Sequence, residues 1–516
     1  MSTNKILLAA ALIAGFAGSA MAADDAADKP ADKAAAEKPA AKAKPAKDGM
    51  VAEKPCPAPR KKVHKHAPKP VHHAPVHHHH EPKGLTVTLG GELDTQVGYR
   101  KQKHTYDTVQ PGPGVVPIPA NVDKLHKFAI VNDTRIHVKA EGHAHGFKYG
   151  GKIVLNSDTS DNKFGWNPYA DGSEAGANNK VGFETKVWVR NQWGHLEAGS
   201  TTGAYQALRV NAANFARATG GIDGDSQYWW NPLLLNTGAT GAGPSVWVPE
   251  AFVINPNLPS NYVHGLDANA AKISYFTPSF YGFKLGVSYV PDSEQRGTVS
   301  KTQSVFRNRA LTPSLTGYKN VWEGGIRYKG QFDKIGIRAS LMGNAGDAKD
   351  YVSTGATGRV SRDDLMAWEA GLALSYMGFT LAGSYADLDD SGTPKTLADG
   401  TTALTGKDDA NFWNIGLSYE HHAFGASVNY MESRRAPTVV RNGNIGTLNA
   451  IRIADSSNKF SNLSFGVDYK LAPGFMPYAE VSRFSMKEGR SHAGAATLPR
   501  YKNSGFVVLA GTKLHF

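Results

Sequence analysis

The chain has 516 residues, with 57 Lys plus Arg, 45 Asp plus Glu, 55 Gly, 20 Tyr, 21 Phe and a single Cys. One cysteine excludes a disulfide framework and a multi-cysteine zinc site, and beyond the N-terminus no apolar run approaches the ~20 residues of a membrane helix. A mean hydropathy of −0.37 leaves a soluble all-β protein and a membrane β-barrel as the two open classes, because half of every barrel strand faces water.

Residues 1–22 read as a signal peptide: Lys5 precedes an apolar stretch from Ile6 to Phe16, and Ala20-Met21-Ala22 fits a small-x-small cleavage site before Ala23. From Ala23 to Lys83 the composition shifts to Ala, Lys, Pro, Asp and His, with 13 basic against 8 acidic residues. Such a segment cannot bury enough apolar surface to offset its ordering entropy, so a disordered periplasmic extension is expected. Eight of the 19 histidines lie within His64–His80. Imidazoles at His72, His73, His77, His78, His79 and His80, at this density, offer ligands for Zn, Cu or Ni. A pH-sensitive polycationic spacer, or a grip on the anionic cell wall, are the competing readings of the same residues.

After Lys83 the pattern turns period-two. Tyr281, Phe283, Leu285, Val287 and Tyr289 alternate with Gly282, Lys284, Gly286 and Ser288; Trp413, Ile415, Leu417 and Tyr419 alternate with Asn414, Gly416, Ser418 and Glu420. This is strand periodicity. Apolar faces begin or end on aromatics, as at Trp322 and Tyr328, Trp368 and Tyr376, or Phe379 and Tyr385. Paired aromatics on strands of about 10 residues match the two interfacial girdles of a membrane barrel. Polar faces of Gly, Ser and charge suit a wet lumen better than a sandwich core.

Short links fall near His143–Phe147, Asn191–Gly194, Pro278–Gly282, Gly330–Lys334, Met377–Gly378, Glu420–Phe424 and Ala472–Pro477. Long polar loops lie near 101–126, 158–180, 201–269, 291–319, 344–365, 388–410, 432–459 and 487–502. Seven turns alternating with eight loops predict an all-β, 16-stranded antiparallel transmembrane barrel with short periplasmic turns and long extracellular loops. No edge survives in lipid, so the first strand (about 85–100) must pair with the last (about 503–516). Phe516, the final residue, shares a face with Phe506, Val508, Ala510 and Leu514. A terminal aromatic on an alternating strand resembles the assembly signal of bacterial outer-membrane barrels.

The stretch Ala271–Asp292, AKISYFTPSFYGFKLGVSYVPD, resembles the general porins of Gram-negative bacteria, particularly the α-proteobacterial type, as do Leu89–Val97 (LGGELDTQV) and Gly194–Ser200 (GHLEAGS). The resemblance covers residues 84–516 and leaves out the extension. It implies a homotrimer whose third long loop, here 201–269, folds inward as a constriction. That loop carries Asp223, Asp225, Glu250 and Asp267 beside Arg209 and Arg217. Alternation places Arg135, His137, Lys139 and Glu141 on the inner face of the second strand, and Glu184, Lys186 and Arg190 on that of the fourth. Arg100, Arg327 and Arg338 also fall inward. Loop carboxylates opposite wall cations would set a transverse field across the passage.

No G-x-S-x-G, P-loop, H-E-x-x-H or Cys/His zinc spacing occurs in the barrel region. The expected function is passive diffusion of small hydrophilic solutes and ions, without enzyme activity, cofactor or nucleic-acid partner. Lipid, lipopolysaccharide and the outer-membrane assembly machinery are the expected surroundings. A substrate-selective porin, or an outer-membrane anchor whose basic extension tethers the cell wall, are the alternatives. The acidic pairs Asp363-Asp364, Asp389-Asp390 and Asp408-Asp409 could bind divalent cations or bridge lipopolysaccharide through them, and read otherwise as solvated loop charge.

Overall fold

The computed structural model describes residues 84–106, 127–156, 182–229, 252–258, 270–293, 317–349, 351–352, 359–392, 395, 409–435, 457–487, 489, 492–493, 496–497 and 501–516. Alternating inward and outward side chains make sixteen strands: β1 (Thr86–Tyr106), β2 (Phe128–Ala144), β3 (Phe147–Asn156), β4 (Gly182–Asn191), β5 (Gly194–Ser200), β6 (Ala271–Phe276), β7 (Phe283–Asp292) and β8 (Tyr318–Phe332) form the first half. The second half comprises β9 (Ile335–Ala348), β10 (Leu365–Tyr376), β11 (Phe379–Asp389), β12 (Ala410–His421), β13 (Phe424–Arg435), β14 (Asn458–Tyr469), β15 (Phe475–Lys487) and β16 (Tyr501–His515). Each pairs antiparallel with its neighbours in chain order, and β16 closes on β1, so the sheet is a closed barrel. The predicted sixteen strands, turns and closure are all present. Strand β1 runs six residues further toward the long-loop side than its sequence pattern predicts.

Local chemistry sets the hairpins. His145-Gly146, Tyr281-Gly282 and Met377-Gly378 all take positive φ, the pair of left-handed residues that a type I′ turn requires and whose twist matches paired strands. At the seam, Gly91 N–H donates to Phe516 O at 2.9 Å and Phe516 N–H donates to Gly91 O at 3.1 Å, so the last residue completes the ladder.

The outward face is apolar, and it is bounded by aromatic pairs at two levels. On the long-loop side stand Tyr289 with Trp322, Trp368 with Tyr385, Trp413 with Tyr430, and Tyr99 with Phe506, at ring separations of 4.9, 5.7, 5.3 and 6.1 Å. On the short-turn side stand Phe283 with Tyr328 (4.8 Å) and Phe379 with Tyr419 (4.4 Å). Phe379 and Tyr385 are six residues apart, about 20 Å along the strand, close to the hydrocarbon band such barrels span.

After β5 the chain enters the barrel instead of continuing outside it. It forms the short helix α1 (Ala204–Leu208), 3-10 turns at Ala212–Phe215 and Gly221–Asp223, and a helical turn α2 (Ser226–Trp229). Irregular backbone away from water must find partners for its N–H groups. Here inward polar side chains of successive strands supply them. Ala204 N–H donates to Ser288 Oγ on β7 at 2.8 Å, Val210 N–H to Ser340 Oγ on β9 at 2.9 Å, and Ala212 N–H to Asn414 Oδ1 on β12 at 2.9 Å. Arg217 N–H donates to Ser427 Oγ on β13 (2.8 Å), Ala218 N–H to Asp468 Oδ2 on β14 (3.1 Å), and Thr219 N–H to Glu480 Oε2 on β15 (3.1 Å). Lys513 of β16 then donates to Ala218 O at 3.1 Å, and Gln96 of β1 to Asp225 at 2.9 Å. The loop thus follows the inner wall from β7 round to β1. Its Tyr205, Leu208, Ile222, Phe252 and Leu258 pack with inward Phe412, Phe460 and Phe484 into one apolar cluster.

The wall makes room for this strand-hugging path with glycine. A Cβ at Gly371 would strike the carbonyl of Val210, and one at Gly98 the indole of Trp229. Gly371→Val is expected to lift the loop from β10 at a cost of about 1–3 kcal/mol. Limited proteolysis of the folded barrel should then cut within residues 201–229 in the variant and spare them in the native protein; equal protection in both would show that this close approach does not hold the loop.

Candidate functional site: the lumen between loop and wall

The loop's own charges are largely spent on holding its shape. Arg209 is buried and donates through Nη2 to Asp223 Oδ2 at 2.8 Å and through Nη1 to Pro256 O at 2.8 Å, with Asn257 Oδ1 a further acceptor. Asn257 Nδ2 also donates to Asp223 Oδ1 at 3.2 Å. Burial opposes the Arg209 charge, but nearby anionic groups, Asp223 and Glu369 among them, outweigh it and hold the guanidinium pKa above its ordinary value. Tyr205 donates its phenol to Glu369 of β10. Burial first, then the Glu369 charge, push that phenol far above its usual pKa, so it stays a donor. Ser384 Oγ (2.6 Å) and Asn211 Nδ2 (3.3 Å) also donate to Glu369.

Further along, Arg217 grips Asp468 with two bonds, Nε to Oδ2 at 2.9 Å and Nη2 to Oδ1 at 2.7 Å, and reaches Glu420 at 3.3 Å. Burial disfavours this guanidinium too, and the Asp468 bonds and charge raise its pKa above the ordinary value on balance. Such fork-to-fork pairing fixes both position and orientation. Glu480 accepts from Thr219 N–H, Thr219 Oγ1 and Gly221 N–H at 3.1, 2.8 and 3.3 Å.

Opposite this seat, the inner faces of β2, β3 and β4 carry a different pattern. Lys139 is the register partner of Lys152, and Lys152 of Lys186, so three lysines stand side by side on adjacent strands. At about 4.8 Å between strands the row spans roughly 10 Å. Like charges directly opposite one another repel, and carboxylates interleave with them. Lys139 pairs with Glu141 at 2.8 Å, Lys152 with Glu184 at 3.1 Å, and Lys186 with both Glu184 and Glu197 at 3.1 Å. Side-chain exposure falls along the row, 45% at Lys139, 30% at Lys152 and 18% at Lys186. Glu184 also accepts from Thr201 Oγ1 at 2.7 Å, which ties the root of the loop to the row.

The residues singled out from sequence divide accordingly. Arg135, Lys139, Lys186 and Arg190 stand on the β2–β4 wall; Arg135 pairs with Asp133 at 3.0 Å, and Arg190 lies 3.4 Å from His195 Nδ1. Arg100, Arg327 and Arg338 meet the loop itself. Arg100 donates to Trp229 O at 2.9 Å, Arg327 approaches Ala207 O at 3.5 Å, and Arg338 lies over the Phe215 ring at 5.3 Å. Asp223 and Asp225 are held within the loop and against Gln96. Glu250, Asp267 and the His72–His80 group lie outside the described residues. Sequence reasoning did not single out Lys152, Glu197, Glu369, Asp468 or Glu480. All five prove to face inward, and nothing in the sequence said which strands the loop would reach. Asp389, Asp390 and Asp409 do come together on the long-loop side, as an exposed to half-buried acidic group.

A family model described as Gram-negative porin matches residues 9–489. An uncharacterized protein of Rickettsia bellii is 26% identical over 370 residues, 64% of this chain and 75% of that protein. One of Rickettsia felis is 24% identical over 367 residues, with the same coverage. Among solved structures, the anion-selective porin from Comamonas acidovorans aligns with 84% of this chain and 100% of its own, at a TM-score of 0.46 and 14% identity. The trimer form of OmpT from Vibrio cholerae aligns with the same shares at 0.44 and 11%. Because the family match runs across nearly the whole chain, the chain belongs to the Gram-negative porins, channel-forming barrels of the outer membrane.

Proposed function

We propose that the protein is a trimeric passive-diffusion channel whose narrow passage runs between the wall-hugging loop and the basic face of β2–β4. One observation supports this reading above the others. The loop's hydrogen bonds run along the wall from β7 to β1, while β2–β4 keep a row of charged side chains partly open to the lumen. Solutes pass along that row without being required to fit a closed pocket. The long loops face the cell exterior and the short turns the periplasm, which puts residue 84, and with it the 23–83 extension, on the periplasmic side. Phe516 serves as the assembly signal; its main-chain pairing with Gly91 supports a role at the closing seam.

In planar bilayers the purified mature protein is expected to give stable conductance steps grouped in threes. A folded barrel that stays closed defeats the channel reading, and single independent steps defeat the trimer. Charge on the row sets the ion preference, with a sign that follows from its partners. Converting Lys139, Lys152 and Lys186 together to Gln leaves Glu141, Glu184 and Glu197 uncompensated. The reversal potential in a salt gradient should therefore move toward cation preference, by a few-fold in the permeability ratio. An unchanged reversal potential would place the passage elsewhere. Deleting Phe516 should lower the amount of folded barrel in the outer membrane several-fold while the chain is still exported.

A further inference from the structure

Some of the hairpin turns bring together two side chains that a strand would keep apart. Successive strand residues point to opposite faces. Where the first turn residue is left-handed, its side chain can swing back toward the residue before it. Five described short turns begin in this way, at His145, Tyr281, Asp333, Met377 and His422, with φ between 47° and 51°. The β6–β7 turn shows the result: the Phe280 and Tyr281 rings meet edge to face at 4.4 Å and 75°. The β12–β13 turn repeats that contact with imidazoles, His421 and His422 meeting at 4.1 Å and 67°. In the other four turns the residue before the left-handed one is Ala, Phe, Phe or Tyr. The β12–β13 turn is therefore the one of these five that sets two metal-binding side chains against each other.

Both imidazoles are exposed. Among the described residues, neither ring has a hydrogen bond or an ion pair; the contacts are between the two rings and, for His421, with the parallel Tyr419 ring at 6.1 Å. The neighbouring charge is already matched, since Glu420 accepts from Lys470 at 2.8 Å and from Arg217 at 3.3 Å. The ring nitrogens are thus open to an ion from solution. With metal–nitrogen bonds of roughly 2 Å, two imidazoles at adjacent positions on one ion have ring centres roughly 4.5 to 5 Å apart. A small side-chain rotation from the observed contact reaches that spacing. The turn holds both side chains near it in advance, which lowers the ordering cost of binding. Imidazole suits the late first-row metals, among which Cu²⁺ binds a given site more tightly than Ni²⁺ or Zn²⁺.

We propose that His421 and His422 form a two-imidazole site for a divalent late transition metal, Cu²⁺ ahead of Ni²⁺ and Zn²⁺, with solvent water completing the coordination shell. The site stands at the short-turn end of the barrel, the periplasmic side in the channel reading above, and its capacity to hold metal does not depend on conduction.

The chain has 19 histidines, so a bulk metal count would not locate the site and the readout is taken residue by residue. Full-length protein in detergent is treated with diethyl pyrocarbonate, which modifies uncoordinated imidazole, at rising Cu²⁺ or Zn²⁺, and each histidine is read by peptide mass spectrometry. His143 and His145, exposed at the β2–β3 turn, serve as the internal reference. Modification of His421 and His422 should fall together by about fivefold or more at Cu²⁺ levels that change the reference by less than about twofold. Zn²⁺ should need about tenfold higher concentration for the same protection. In H422Q, His421 should lose its protection, and in H421Q so should His422. Protection no greater than at His143 and His145 reduces the pair to an aromatic contact of the Phe280–Tyr281 kind and overturns the site, without any variant having to fold. Protection of His421 that survives in H422Q overturns the paired chelate, and Zn²⁺ acting at or below the Cu²⁺ level overturns the metal preference.

Discussion

A buried peptide group needs a hydrogen-bond partner, and that requirement shapes the interior of this barrel. A loop inside a lumen that forms only short helical turns and no sheet leaves most of its N–H groups to find other partners. The chain solves this by placing Ser, Asn, Asp and Glu inward on strand after strand, each at a position where the loop passes. The same inward polar residues that make the lumen wet therefore also build the loop's bed. The glycines complete it, because a hydrogen bond of about 2.9 Å from backbone to a short side chain requires the two chains to lie nearly in contact. Ser340 shows both sides of this: it accepts from Val210 N–H, while Gly371 on the neighbouring strand admits the Val210 carbonyl.

Charge is arranged on the same plan. Each of the loop's two anchoring arginines is matched by an acid, Arg209 by Asp223 within the loop and Arg217 by Asp468 of the wall. Pairs of this kind, taken partly or wholly out of water, contribute position and orientation more dependably than net stability. They also remove those charges from the field that a passing ion feels. The β2–β4 row differs: lysine and glutamate alternate closely there, with Lys139 and Glu141 the most exposed and Glu184 and Glu197 largely covered. A carboxylate such as Glu184, bound at once to Lys152, Lys186 and Thr201, couples the root of the loop to the charge that faces it. Movement of the loop root would therefore change the local balance of the row.

Much of the barrel was legible in the sequence because its two rules are local. Period-two alternation names the strands, and turn residues name the hairpins; His145-Gly146 even determines that Lys139 and Lys152 face each other, since a two-residue turn fixes every pair behind it. The pairing of Lys152 with Lys186 was not legible. Those strands are joined through the long connection between Asn156 and Gly182, and a loop of that length leaves register free. The same reasoning explains the candidate site. Alternation correctly turned Arg100, Arg327 and Arg338 inward, but whether an inward cation faces water or a packed loop depends on the loop's path, a non-local property.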